Sequence, residues 1–169
     1  MTDLARGATL VTATITTGLI AGLFYAYAIS VMLGLNRTDD RTFVGAMRSI
    51  NVAILNGWFL LAFLGAPVLI ALAAVLHLRA GAGAALFWIV AALVLYTVVL
   101  LVTFAVNVPL NDQLEAAGGP GRVMDLATVR ERFEARWVRW NVVRAVACTA
   151  AFGCLTWALV LFGQSSTSV

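Results

Sequence analysis

The chain has 169 residues, of which 62% are hydrophobic and only 11% are charged. Its mean hydropathy of +0.97 is far outside the range of soluble globular proteins. The basic residues are eleven arginines and no lysine, and the net charge of +3 is too small and too dispersed to indicate a nucleic-acid-binding protein. The composition therefore predicts an integral membrane protein.

Four stretches reach or exceed the ~20 apolar residues that a helix needs to cross a bilayer. We place these spans at residues 8–35, 53–76, 84–106 and 142–163. The fold class expected is all-α: an integral membrane antiparallel four-helix bundle that forms one domain over residues 1–169.

The arginines divide unevenly between the two ends of this bundle. Only Arg6 and Arg79 lie at one end, and the loops after spans one and three carry the other nine. By the positive-inside rule we expect both large loops in the cytoplasm and both termini outside, in the cytoplasmic (inner) membrane of a bacterium.

Neither large loop has the composition of a simple linker. Thr38, Asp39 and Asp40 are candidate N-caps, and the residues after them continue without a break into span two. "GGPG" at 118–121 is a strong break, and helical periodicity then runs into span four along one stripe: Val129, Phe133, Trp137, Trp140 and Arg144. Helices two and four are therefore expected to extend into the cytoplasm.

The cysteines and the histidine give little support for a metal site. Cys148 and Cys154 are six residues apart on one predicted helix, about 240° around its axis, so they cannot pair with each other. His77 lies in a predicted short loop beside Arg79, where a solvated interfacial histidine is the expected interpretation. We expect no metal.

Polar residues converge at the arginine-rich end of the predicted bundle. They come from three of the four helices: Arg48, Asn51 and Asn56 from helix two, Asn107 and Asn111 from the end of span three, and Trp137, Asn141 and Arg144 from helix four. The last three share one helical face, which also carries the apolar stripe, so it should point into the bundle. An inward arginine at this depth needs partners or a polar cavity.

The segment "NVPLND" at 107–112 has a structural interpretation of its own. Pro109 lacks an N–H group and disfavours helix at Val108, so span three should end or kink there. Asn107 would then serve the free carbonyls, and Asn111 would cap a short helix. Taken singly, each asparagine fits a cap or an interhelical hydrogen bond, Arg144 fits snorkelling, and Trp137 and Trp140 fit an interfacial belt. Together, uncharged amides beside an arginine suit a polyoxygenated ligand or a developing oxyanion.

Three motifs in this order resemble a known family. "RSIN" precedes span two, "NVPLND" ends span three and "RWVRWNVVR" enters span four. This arrangement resembles the anthrone oxygenases, a family of small four-helix membrane proteins formerly described as a domain of unknown function.

The resemblance implies oxidation of an anthrone-like polycyclic phenol to a quinone by O2, without a metal, flavin or other cofactor. Arg144 and Asn141 would stabilise the enolate oxygen, while Asn51, Asn107 and Asn111 would hold phenolic or peroxide oxygens. Trp137 would stack on the ring, and Tyr25, expected to face inward, would be a proton donor. Further binding residues expected are Trp140, Arg48 and Asn56, the last at a position where the family favours proline.

A non-enzymatic bundle that binds a lipid, a quinone or a partner protein through the same residues is the alternative. Four spans without an internal repeat or an intramembrane acid argue against a transporter. The partners expected are the lipid bilayer, an aromatic small molecule and O2, with no nucleic acid; a homo-oligomer is compatible with the sequence.

Overall fold

The structure is a computed structural model that describes residues 2–81, 83–117 and 125–167. Every regular element in these ranges is helical. In chain order the elements are α1 (Thr2–Ala26), a first π-turn (Tyr27–Val31), α2 (Met32–Asn36), α3 (Asp40–Ala53), α4 (Gly57–Arg79), α5 (Ala84–Val102), a second π-turn (Thr103–Asn107), α6 (Val108–Ala117) and α7 (Leu126–Thr167). The predicted break at 118–121 falls outside the described residues.

Four continuous helices are long and apolar enough to cross a membrane, which confirms the predicted all-α membrane bundle. They cover Asp3–Asn36, Gly57–Arg79, Ala84–Ala117 and Leu126–Ser165. Helix α1 packs against α4 and α7, and α5 packs against the same two helices, so each helix has two antiparallel neighbours. Small buried residues such as Ala13, Ala66, Ala92 and Ala151 allow the close helix approach that membrane bundles need, because lipid provides no hydrophobic driving force between helices.

A proline inside α4 is compensated by a tyrosine on α5. Pro67 has no N–H group, so the carbonyl of Phe63 four residues earlier loses its helical donor. The hydroxyl of Tyr96, which is completely buried, donates to this carbonyl oxygen at 2.9 Å. An unpaired carbonyl in a hydrocarbon environment is costly, so Tyr96 lets the span keep its proline.

We expect Tyr96→Phe to lower the free energy of unfolding by about 1–3 kcal/mol, the usual cost of an unsatisfied buried polar group. Pro67→Ala restores the N–H donor to the Phe63 carbonyl, so Tyr96→Phe should cost much less in that background. Unfolding of the four proteins in mixed micelles of SDS and a mild detergent measures the cycle. Equal costs in both backgrounds would show that the hydroxyl does not substitute for the missing helical donor.

The third span does not end at Asn107, although an end there was one of the two outcomes predicted for this position. The second π-turn widens the helix before Pro109, with the N–H of Val108 bonding to the carbonyl of Thr103, and α6 continues directly. The wide turn accommodates Pro109, which has no backbone N–H donor, without ending the helix. Asn107 and Asn111 are both helical, and neither is a cap.

The second span is interrupted, contrary to the continuous helix expected from Asp40. The predicted cap is present: Asp39 accepts from the backbone N–H and hydroxyl of Thr42, and these bonds hold the pKa of its carboxyl below the usual value. However, α3 ends at Ala53, and α4 starts with a new cap in which Asn56 accepts from the N–H of Phe59 at 3.1 Å.

All four helical segments of the chain contribute to the extended end of the bundle, and not only helices two and four as predicted. Residues from α2, α3, α6 and α7 form a second apolar cluster: Met32, Phe43, Val44, Met47, Leu110, Leu114, Ala117, Val129, Phe133 and Trp137. The predicted stripe on α7 supplies three of these residues, and Arg132, Arg136 and Arg139 are exposed elsewhere on this helix. The cluster fixes the segments that carry the polar residues.

His77 is not a solvated loop residue, so that prediction was also wrong. It lies in the last turn of α4 and is 1% exposed. Its ring packs edge-on against Phe162, and its Nδ1 donates to the carbonyl of Ala73 at 2.8 Å. Cys148 and Cys154 are both free thiols, as their spacing predicted.

Candidate functional site

A cavity lies between the helices at the level of the two π-turns. Its volume is about 100 Å³. Its polar lining combines amides, a hydroxyl, a phenol, an indole and a guanidinium, and its apolar lining comes mainly from α1 and the α3–α4 junction: Leu23, Phe24, Tyr27, Ile50, Asn51, Ile54, Leu55, Phe59, Thr103, Asn107, Val108, Asn111, Trp137, Asn141 and Arg144. The predicted convergence of Asn51, Asn107, Asn111, Trp137, Asn141 and Arg144 is therefore present in the structure.

The π-turns place side chains from α1 and α5 into this cavity. Tyr27 opens the first π-turn, and Thr103 and Asn107 open and close the second. A π-turn offsets the register of the following helix by one residue, and such turns are frequent at functional sites. The widened backbone thus surrounds the cavity on two sides.

Arg144 is a buried cation without an anionic partner. It is 6% exposed, and among the described residues no carboxylate forms an ion pair with it. Its guanidinium carbon lies 4.4 Å from the ring centre of Phe24 and 5.4 Å from that of Trp137. These cation–π contacts hold the charge in place without neutralising it. The residue is therefore not a snorkelling arginine.

Asn141 orients the guanidinium from the same helical face. Its amide Nδ2 donates to the carbonyl of Phe24 at 3.1 Å, which leaves Oδ1 to accept from Nη2 of Arg144 at 3.0 Å. A longer contact of 3.4 Å joins Nη1 of Arg144 to the hydroxyl oxygen of Thr103. Nε of Arg144 has no hydrogen-bond partner within the described parts of the chain. One strong donor of this side chain therefore lies buried without a partner in that part of the protein.

Two asparagines add further unpartnered atoms to the cavity wall. Asn107 is 1% exposed and donates to the carbonyl of Trp137 at 3.4 Å, but its Oδ1 finds no partner among residues 2–81, 83–117 and 125–167. The Nδ2 of Asn51 is likewise buried and without a partner there. Buried polar groups are almost always hydrogen-bonded, so these two donors and one acceptor are unusual, and all three belong to residues that line the cavity.

Trp137 joins the cavity to the second apolar cluster. Its indole N–H donates to Oδ1 of Asn111 at 2.8 Å, and its ring packs against Phe133 and Tyr27 at 6.1 and 5.8 Å between ring centres. Asn111 therefore orients the indole instead of capping a helix. Its contacts with Phe133, Tyr27 and the Arg144 guanidinium make the ring a fixed part of the cavity wall.

Four of the predicted binding residues do not line the cavity. Tyr25 is 55% exposed and points outward. Asn56 is exposed and serves as the cap of α4, while Trp140 is half-buried with the Arg139 guanidinium 5.9 Å from its ring centre. Arg48 forms a two-pronged pair with Glu115, with N–O distances of 3.0 and 2.7 Å, outside the cavity.

Tyr27 is the cavity tyrosine that sequence reasoning missed in favour of Tyr25. The signal was present, because Tyr27 follows the buried Phe24 by three residues and therefore shares its helical face. Thr103 was missed as well, because the hydroxyl of a threonine in an apolar span usually donates to a carbonyl of its own helix. Thr103 does donate to the carbonyl of Val99 at 2.7 Å while it contacts Arg144.

The fold and the cavity define an all-α integral membrane bundle with a buried cationic and amide-rich pocket near one end. The sequence model of the anthrone oxygenase family matches residues 58–154, more than half of the chain. The chain therefore belongs to the anthrone oxygenase family. The match includes the second π-turn and Arg144 but not the "RSIN" segment at 48–51. No curated protein and no solved structure matches the chain significantly.

Proposed function

We propose that the protein is a membrane-embedded oxygenase that oxidises an anthrone-like polycyclic phenol to a quinone with O2 and without a cofactor. One observation supports this most strongly: the unpartnered Arg144 Nε, Asn51 Nδ2 and Asn107 Oδ1 all belong to residues that line one cavity. Two donors and one acceptor complement a substrate that carries an enolate oxygen beside a phenolic hydroxyl.

The reaction balances with O2 as the only oxidant. The ring CH2 of the anthrone loses one proton to water and becomes an enolate, which transfers one electron to O2. The resulting radical and superoxide combine into a carbon–oxygen bond, and the peroxide takes up a proton. Loss of the second CH2 hydrogen as a proton and cleavage of the O–O bond then release water and leave the quinone carbonyl. One oxygen atom enters the product and the other becomes water.

The residues of the cavity supply electrostatics and proton donors for these steps. Arg144, oriented by Asn141, favours the enolate over the neutral anthrone because its charge has no competing anion within the described part of the protein. Asn107 and Asn51 hold phenolic or peroxide oxygens. Tyr27 lies next to Trp137 on the cavity wall and takes the donor role expected of Tyr25.

The cavity volume limits how much of the substrate lies inside. About 100 Å³ equals roughly three water molecules, whereas pockets for drug-sized ligands reach about 300–1,000 Å³. The oxygen-bearing edge of a ring system would enter, and the remaining rings would occupy the opening. The same volume favours the second candidate function, in which the pocket holds a quinone or lipid headgroup without turnover.

We further propose that the protein lies in a bacterial inner membrane with the cavity end toward the cytoplasm. The exposed arginines Arg132, Arg136 and Arg139 all lie at this end. The positive-inside rule then places both termini on the outer side.

The test is O2 consumption by the purified, chelator-treated protein with 1,8-dihydroxyanthrone. Wild-type turnover should exceed the spontaneous rate and yield one quinone per O2. Asn107→Leu keeps the side-chain volume but removes the acceptor, and we expect at least a tenfold loss in kcat/KM. A rate equal to the spontaneous background, with quinone binding intact, would favour the binding function.

The two tyrosines near the first π-turn provide a matched control. Tyr27→Phe should lower kcat, whereas Tyr25→Phe, two residues away and outward-facing, should leave kcat unchanged. Equal effects of both substitutions would remove Tyr27 from the mechanism.

A further inference from the structure

The cavity opens sideways, between the α3–α4 junction and the start of α6. Two of its lining residues are exposed large aliphatics: Leu55 is 67% exposed and Val108 is 37% exposed. All the other residues of the lining are buried or half-buried. The exposed rim therefore marks where a ligand passes between the cavity and the surroundings.

The interruption between α3 and α4 creates this opening. The chain leaves helical geometry after Ala53, and the side chain of Asn56 binds both ends of the gap by donating to the Ala53 carbonyl at 2.9 Å and accepting from Phe59. A continuous helix would have placed another turn of side chains at this position. Instead, Leu55 lies at the rim in the short non-helical link, just before the extended backbone of Asn56.

An ion pair, here called the charged clasp, joins α3 and α6 near the opening. Arg48 of α3 and Glu115 of α6 form a two-pronged ion pair across the gap between these helices. Val108 precedes Glu115 by seven residues, which is about 10 Å along the helix and nearer to the apolar segment α5. The clasp therefore connects α3 and α6 about two turns beyond the opening, on the side away from α5.

The surface around the opening is apolar. Val52, Trp58 and Phe104 are 67%, 84% and 57% exposed, and Trp58 is of the type that locates at the membrane interface. Exposed apolar side chains of this size would be unfavourable next to water but suit contact with acyl chains.

We propose that this opening, between Leu55 and Val108, is a lateral port through which an apolar aromatic ligand dissolved in the bilayer reaches the cavity directly from the membrane. The port adds a route of ligand entry to the proposed function, and the identity of the ligand rests on that function. The ligand enters with its oxygen-bearing edge first, toward Arg144 and Asn107, while its hydrocarbon rings stay in the port. Water-soluble phenols should be poor ligands because the Arg48–Glu115 clasp lies between the cavity and the aqueous side.

The environment of the port can be measured without any ligand. Spin labels are attached to Leu55→Cys and Val108→Cys in a background with Cys148→Ala and Cys154→Ala, reconstituted into liposomes. Collision rates with lipid-soluble O2 should exceed those with a water-soluble nickel chelate, as at the lipid-facing control Val68→Cys. Ser49→Cys, beside the clasp, should show the reverse ratio. A nickel-dominated ratio at both port positions overturns the proposal.

Blocking the port tests ligand passage. A methanethiosulfonate label on Leu55→Cys should weaken binding of liposome-borne 1,8-dihydroxyanthraquinone at least tenfold, and reduction should restore it, while the label on Val68→Cys changes nothing. Unchanged binding after labelling at Leu55→Cys overturns the port. An unlabelled protein that binds no anthraquinone contradicts the proposed function, and the collision ratio then decides alone whether the opening faces lipid.

If the cysteine-free background does not fold, Leu55→Trp and Val108→Trp in the natural chain replace the blocking step. Each should weaken anthraquinone binding, whereas Val68→Trp should not.

Discussion

Replacing Arg144 by methionine should abolish most of the activity and leave the protein at least as stable as before. The substitution removes a charge held 4.4 Å from the Phe24 ring with no carboxylate to balance it among the described residues, and such a charge is costly to bury. Methionine fills a similar volume with apolar atoms. We expect kcat/KM for an anthrone to fall about 10²–10³-fold, as for the loss of one oxyanion donor. Thermal unfolding in detergent should shift upward or not at all.

Arg136→Met is the matched control for this substitution. Arg136 lies two turns earlier on α7 and is exposed, so both activity and unfolding temperature should stay close to wild type. A large drop in the unfolding temperature of Arg144→Met, with activity lost in proportion to unfolded protein, would mean that the arginine stabilises the bundle and does not serve a ligand.

Trp137→Ala should produce the largest loss of stability of any single substitution near the cavity. The side chain is 4% exposed and packs on Phe133, Tyr27 and the Arg144 guanidinium, and its N–H satisfies Asn111. Its removal leaves a void and an unpaired amide oxygen, so the free energy of unfolding should fall by about 3–5 kcal/mol. Mixed-micelle unfolding measures this, together with loss of quinone binding.

Trp140→Ala separates this effect from the loss of any tryptophan on α7. Trp140 is half-buried, and among the described residues its aromatic ring has a cation–π contact with Arg139 and no hydrogen bond or ring stacking, so about 1 kcal/mol or less is expected. Trp137→Phe should recover most of the packing but not the bond to Asn111. Similar costs for Trp137→Ala and Trp140→Ala would contradict the bridging role of Trp137.

The spans and the α7 face could be predicted from the sequence because they follow from regular periodicity. Long apolar runs define membrane helices, and Trp137, Asn141 and Arg144 remain on one face over two turns of uninterrupted α-helix. The N-cap at Asp39 could be predicted for a different reason, because its side chain bonds to a residue only three positions away.

Irregular backbone explains some of the residues that were misplaced. A proline usually ends a helix, yet the second π-turn carries the chain past Pro109, so Asn107 and Asn111 became helical wall residues. Irregular backbone does not explain the choice of Tyr25 over Tyr27, because Tyr27 shares a helical face with Phe24. The Asn56 cap depends on residues three positions away and was overlooked, whereas the burial of His77 depends on a distant contact, the packing of Phe162 on the imidazole.

The order of the helices along the chain has a consequence for how the protein is made. Helix α7 contacts both α1 and α5 and provides Trp137, Asn141 and Arg144, so the cavity has no cationic wall until this helix docks. During synthesis the first three spans leave the ribosome before α7 and enter the membrane as an incomplete bundle. The guanidinium of Arg144 then meets Phe24 and Thr103, its partners on other helices, only when α7 docks. An occupied ligand pocket would therefore report that the newly inserted protein has completed its tertiary structure.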